Sequence, residues 1–132
     1  MKKSIFYVIL LIAVIMLCFA GCSSVKTGSF SSKYYNGDAY EEAVDVVMEY
    51  FKNFKGCTME RIDYAGDKEV KEEAKIRKLA PEQVMVLEST FTTDDKDHKN
   101  GLEPNHKYEH FKWILTRDTT STPWTVTDHG YA

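Results

Sequence analysis

Between residues 38 and 55 apolar side chains recur at steps of three and four: Tyr40, Ala43, Val47, Phe51 and Phe54, with Val44 and Tyr50 widening the stripe. That period is helical. Asp38 is positioned to cap the helix and Glu41, three places on, to return the hydrogen bond as in a capping box. Glu41, Glu42, Asp45 and Glu49 lie toward the positive end of the helix dipole, Lys52 and Lys55 toward the negative end. Gly56 is then expected to stop the helix. Its apolar face is broad, so it must lie on something.

After Gly56 the pattern loosens. Residues 57–65 alternate around Cys57 or Met59, Ile62 and Tyr64, and predict a short strand or an irregular crossing. Residues 67–80 predict a second helix, capped by Asp67 and ended before Pro81. Its apolar stripe (Val70, Ala74, Ile76, Leu79) is thin, and its many charges read as a solvated face laced with i,i+4 pairs. From Val84 the pattern is that of strands: an apolar run through Leu87, then alternation to Thr93. Residues 94–105 are polar, contain Asn100-Gly101 and Pro104, and predict a long hairpin loop. In the strand expected over 107–117, Phe111, Trp113 and Leu115 share one face, while Tyr108, His110, Lys112 and Thr116 share the other with Ile114. A turn at 118–123 leads to a last strand, 124–131, with Trp124 and Val126 on one face. The expected fold is α+β: N-terminal helices gathered on one side of a curved antiparallel sheet.

The first 22 residues follow a different rule. Lys2 and Lys3 precede an uncharged apolar run over 5–20, and Ala20-Gly21-Cys22 is followed by Ser23 and Ser24. Sixteen apolar residues are fewer than the ~20 a spanning helix needs. A small-residue pair before a cysteine is the layout of a secretory signal ending in a lipobox, although Phe19 stands where leucine is usual. The expected organisation is a signal peptide over 1–21, a tether over 22–37 lipidated on Cys22, and a folded domain over 38–132. Two acyl chains at ~0.8 kcal/mol per buried methylene hold stably where one is marginal. The tether is rich in Ser, Gly, Lys and Asn, which predicts a flexible coil. Phe30, Tyr34 and Tyr35 are out of keeping with a pure spacer, and are expected either to pack back on the domain or to sit at lipid headgroups.

Composition narrows the functions. Without Lys2 and Lys3 the 17 basic residues fall to 15 against 20 acidic ones, a balance of −5. That argues against nucleic-acid binding, which needs a basic surface to displace phosphate counterions. With Cys18 removed and Cys22 alkylated, Cys57 is the one thiol left, so stability must come from an apolar core. Cys57 itself reads as a small buried hydrophobe.

The segments Phe111-Lys112-Trp113-Ile114-Leu115-Thr116-Arg117 and Pro123-Trp124-Thr125-Val126-Thr127-Asp128-His129-Gly130-Tyr131 resemble the closing hairpin of a family of uncharacterised Gram-positive lipoproteins, domain of unknown function 4829. Tyr50-Phe51-Lys52-Asn53-Phe54-Lys55-Gly56-Cys57-Thr58 and Val86-Leu87-Glu88-Ser89-Thr90-Phe91 resemble it too. More distantly, the element order is similar to the cone-shaped, cystatin-like superfamily of nuclear transport factor two and ketosteroid isomerase. That resemblance implies a curved sheet wrapping a long helix, a pocket at the open end, and in several members dimers through the sheet. Fold alone chooses no activity.

Tyr64, Phe111, Trp113 and Trp124 are the candidate ligand-lining residues, with core packing as the competing reading. An isomerase-like or hydrolase-like enzyme would need an acid or base in an apolar cavity, for which Asp63, Tyr64, Tyr108, Asp128 and His129 are the titratable candidates. They form no catalytic motif. His106 and His110 would lie ~13 Å apart on a strand, too far to share a metal. Asp94, Asp95, Asp97 and Asn100 fail the calcium-loop spacing. No metal or cofactor is therefore expected. The expected function is a non-enzymatic domain, held at the outer face of the cell membrane through Cys22, that binds a small apolar molecule or a protein, with a homodimer through the sheet as one form of the latter. Cys22→Ala is expected to block maturation to the lipidated form. A normal-sized, membrane-held Cys22→Ala product, seen by fractionation and immunoblot, would contradict the lipobox.

Overall fold

A computed structural model describes residues 25–131. The expected signal peptide and Cys22 lie outside the described residues. The elements run β1 (Lys26–Thr27), α1 (Gly37–Phe51), β2 (Cys57–Tyr64), α2 (Asp67–Arg77), a 3-10 turn (Pro81–Gln83), β3 (Val84–Thr93), β4 (Lys107–Thr116) and β5 (Thr125–Gly130). The fold is α+β, with two helices and one curved, open sheet ordered β1-β2-β3-β4-β5. The sheet is mixed, not purely antiparallel. β2 to β5 form the antiparallel meander, and β1 adds a parallel edge through Lys26–Arg61 and Thr27–Ile62.

The helices do not share one side of the sheet. Because strand side chains alternate, Met85 and Leu87 of β3 face α1, whose Tyr40, Ala43, Val47 and Phe51 pack on them within the main core. Val84 and Val86 face the other way, and with Ile114 they meet Val70 and Ala74 of α2. This is why residues 84–87 are a continuous apolar run: that stretch is covered on both faces. α2 buries little apolar surface beyond Val70 and Ala74, and its charged side chains meet partners on the sheet and along the helix itself. Lys112 reaches Glu69 at 2.9 Å, and Arg77 lies 3.4 Å from Glu73 and 3.5 Å from Asp128.

Caps and ends differ from expectation by a few residues, each for a visible reason. The N-cap of α1 is Asn36, whose side chain accepts from the Ala39 amide at 3.0 Å. Asp38 instead sits in the first turn, where the dipole favours it. α1 ends at Phe51 because the amides of Asn53 and Phe54 turn to the carbonyls three residues back, and the Asn53 side chain also donates to the Tyr50 carbonyl. That tightening drops Phe54 into the core. Gly56, at φ 72°, then turns the chain into β2. α2 is shorter than expected, closed by Lys78 in the left-handed conformation.

β4 carries the largest departure. Ser89 pairs with Phe111 but Phe91 with Tyr108, so Glu109 and His110 together oppose Thr90. His110 adopts φ 55° at this bulge. The extra residue shifts Tyr108 onto the same face as Phe111, Trp113 and Leu115, where it stacks on Phe91 at 5.2 Å. It does not share a face with His110 and Lys112. β2 has its own register shift opposite Thr90, between Met59 and Arg61. Bulges in both flanking strands bend the sheet about this point.

The main core fills the space between α1 and the sheet. Trp113 and Phe91 are fully buried, and Phe51, Phe54, Phe111 and Trp124 are nearly so. Both indoles have hydrogen-bond acceptors: Trp113 donates to Ser89 Oγ at 2.8 Å and Trp124 to the Ala39 carbonyl at 3.0 Å. Trp113→Ala is expected to cost ~3–5 kcal/mol, read as a lowered urea midpoint at unchanged slope. An unchanged midpoint would contradict this packing.

Candidate functional site

Residues 25–36, expected to be a free coil, lie packed along the domain as a strap. Val25 contacts the main core, and the Phe30 ring stacks on Tyr40 at 4.5 Å with planes 4° apart. Phe30 also meets Tyr64 edge-on at 5.1 Å. Gly28 crosses the Arg61–Asp63 ion pair so closely that a Cβ there would displace the Asp63 carboxylate and press on the Arg61 guanidinium. Packing back on the domain is one of the two placements expected for Phe30, Tyr34 and Tyr35, and it is the one these residues adopt. The physical reason is aromatic: Phe30, Tyr34 and Tyr35 carry too much apolar area to stay in water when Phe30 and Tyr35 can pack on the main core and Tyr34 on the smaller cluster under α2.

The strap is fastened through Asp67. Its carboxylate accepts from Ser32 Oγ at 2.6 Å, from the Lys33 amide at 3.0 Å and from Tyr64 Oη at 2.6 Å. Asp67 is therefore not the cap expected for α2: Gly66 holds that position without a side-chain bond, and the Asp67 side chain reaches back to the strap. The Tyr64 hydroxyl also lies 3.1 Å from that of Tyr35, which donates to the Val84 carbonyl at 3.1 Å. Burial raises both phenols: Tyr64 to about 12, with its bond to Asp67 adding to the rise and that with Tyr35 opposing it, and Tyr35 also upward, with its bond to Tyr64 adding to the rise. Desolvation pulls Asp67 upward, but the bonds from Ser32, Tyr64 and Lys33 outweigh it and hold its carboxyl below the usual range. A carboxylate kept ionised by three donors is a structural clasp. It is not a proton donor poised for catalysis.

The four candidate ligand-lining residues separate. Phe111 and Trp113 are buried core, Trp124 is buried with the Arg117 guanidinium 4.1 Å above its ring, and Tyr64 belongs to the clasp. Burial lowers Arg117 from its usual value, while its Nε donates to the Glu82 carbonyl at 2.9 Å. The titratable candidates do not converge either. Asp63 is paired with Arg61 through two contacts of 2.6 and 2.8 Å. Asp128 faces Arg77 from an exposed position on β5. Tyr108 is core, donating its hydroxyl to no carboxylate but accepting from the Glu103 amide at 2.8 Å. His129 lies on the rim, 3.3 Å from Tyr50 Oη, with its ring against Phe54 and Trp113. Only proximity to this aromatic rim sets His129 apart.

His106 pairs with Glu103 and His110 with Glu88, so the two histidines have separate partners. Within the 94–105 loop, Asp94 accepts from the Lys96 amide and lies 3.0 Å from His98. Among the described residues no group of three or more His, Cys, Asp or Glu side chains is placed to hold a metal ion. Burial, then the charge of Asp94, raises the Cys57 thiol, which leaves it protonated at neutral pH.

Among the described residues several clefts border α1, and two of them carry aromatic walls. One, of about 490 Å³, lies between the strap and α1 and is lined by Phe30, Tyr40, Glu41, Val44 and Asp45 among others. The Tyr40 hydroxyl is buried there without a hydrogen-bond partner among the described residues. The second, about 520 Å³ and wide open, lies between α1 and β5, with Val46, Tyr50, Trp124 and Val126 as its apolar walls and Glu49 and Lys52 at its rim. It borders the outer edge of β5, the last strand of the sheet. Sequence reasoning missed the clasp and this groove. The out-of-place aromatics over 30–35 were the one signal for the first; nothing in the pattern marked the second. No family model, curated protein or solved structure matches the chain.

The clasp has a pH signature. A carboxyl held below its unfolded value of ~3.9 contributes stability above that pH, and the contribution is lost as pH falls through the folded value. The protection factor of the Lys33 amide, its exchange rate set against the intrinsic rate at the same pH, is therefore expected to fall on acidification below about pH 4, and to be low already at neutral pH in Asp67→Asn. Unchanged protection of Lys33 in Asp67→Asn would contradict the clasp.

Proposed function

We propose that this chain is a lipoprotein held by Cys22 at the outer face of the cytoplasmic membrane, whose domain recognises a protein partner and catalyses nothing. The observation that carries the reading is the solid aromatic packing between α1 and the sheet, with Trp113 fully buried. A deep binding cup would need that space. Recognition is then left to the surface, and the α1–β5 groove is the best-equipped part of it. An extended segment laid on the free edge of β5 would gain main-chain hydrogen bonds, with Tyr50 and Val126 as apolar contacts.

The cone type of the nuclear transport factor two superfamily belongs to the same proposal. One long helix across a curved sheet supports it, with the pocket of that fold replaced by side chains. Membership of the lipoprotein family that the closing hairpin resembles is a further part of the proposal. The lowered carboxyl of Asp67 speaks against the enzyme alternative, which asks for a raised one beside a tyrosine.

The test uses the lipidated full chain in its own membrane, with a photo-crosslinking residue at Thr125 beside the groove and, as control, at Ile76, which is 74% exposed on α2. A discrete protein adduct from Thr125 and none from Ile76 is the expected result. An adduct of twice the chain's mass identifies the partner as a second copy. A small apolar molecule recovered in stoichiometric amount, with no adduct at Thr125, would contradict the reading.

A further inference from the structure

The strap fixes more than its own position. Resting on the Cys22 anchor of the proposed function, we propose that the β1 edge of the domain is a membrane-apposed surface, holding Lys26 and Lys33 against lipid headgroup phosphates and directing the β5 edge away from the bilayer.

The first argument is length. From Val25 onward the chain is packed, paired with β2, stacked on Tyr40 and clasped by Asp67. Only Ser23 and Ser24 separate it from Cys22. Three residue steps reach at most roughly 10 Å even fully extended. A free coil over the whole of 22–37 would have let the domain roam and turn about ~20 Å from its anchor. With the strap docked, Val25 and its neighbours on the β1 edge cannot leave the headgroup region.

The second argument is charge. The strap, residues 25–36, contains Lys26 and Lys33 and no acidic residue, in a chain whose mature part is otherwise acidic. Both lysines are exposed. Lys33 lies 5.7 Å above the Tyr34 ring, a pairing of cation and aromatic suited to the interface between headgroups and water. No other run of this length in the folded body is basic without acids.

The third argument is sheet order. β1 and β5 are the two outer strands. Four strand-to-strand steps of ~4.8 Å separate them by roughly 19 Å. If one edge is held at the headgroups, the opposite edge and its groove project outward. The strap therefore acts as an orienting device, and at Gly28 it runs so close to β2 that a side chain there would displace the Asp63 carboxylate from its place beside Arg61.

The test reconstitutes the lipidated full chain, with Cys57→Ser, into vesicles of phosphatidylglycerol and phosphatidylcholine carrying a nitroxide at the headgroup. A fluorophore is placed on a cysteine replacing Ser29 in the strap or Thr125 on β5. Intact mass first establishes the diacylglyceryl group on Cys22; its absence overturns the anchor, and with it this inference, before any quenching is read. With the anchor present, the Ser29 probe is expected to be quenched several-fold more than the Thr125 probe. Gly28→Val, or Asp67→Asn should that variant fold poorly, is expected to bring the two closer together. Equal quenching of both probes with Gly28 and Asp67 intact, or stronger quenching at Thr125, would overturn the orientation.

Discussion

Trp113 is the contact on which the rest of the structure depends. Its indole is wholly removed from water, its N–H is satisfied by Ser89 on the neighbouring strand, and the rings of Phe51, Phe54 and Phe111 close around it. A buried indole is favourable only if that donor finds an acceptor. Ser89 sits on β3 within the register that pairs it with Phe111, so strand register and core chemistry reinforce each other. The bulge at His110 completes the arrangement by bringing Tyr108 to the same face. α1 cannot lift from this surface without exposing several aromatic rings together, and that is why the interior is a core and not a container.

The two faces of β3 divide the labour unequally. The α1 face carries nearly all the aromatic burial, whereas the α2 face has a small aliphatic patch supplemented by the Lys112–Glu69 and Arg77–Asp128 pairs. Partly exposed pairs of this kind contribute little each. α2 is thus the more loosely held helix, and its N-terminal Asp67 does double duty by clasping the strap. Acid, by protonating Asp67, would weaken helix seating and strap docking together.

Much of this architecture was legible in the sequence. The 3.6-residue stripe of α1, the strands around Val84 and Trp113, and the polar hairpin loop all follow from apolar spacing. What escaped were features without a local signature. Nothing in residues 107–117 announces that His110 takes a left-handed conformation, so strict alternation put Tyr108 on the wrong face. The placement of α2 on the opposite face is hinted at by the unbroken Val84-Met85-Val86-Leu87 run, a pattern that a doubly covered strand explains. The strap was composed like a linker, with its three aromatics dissenting. As for the site, Trp113 and Phe111, open between core and pocket lining from the sequence, are buried in the core, while the Asp67 clasp joins residues more than thirty positions apart and could not be read from spacing.

A surface-recognition domain and a ligand-holding cup differ in one physical property, whether free volume exists beneath α1. A crystal of the soluble domain under xenon pressure reads that volume directly, because xenon occupies apolar cavities that water leaves empty. The account predicts no ordered xenon between α1 and the β3–β5 face. A well-occupied xenon site beside Trp113 and Phe111 would contradict it.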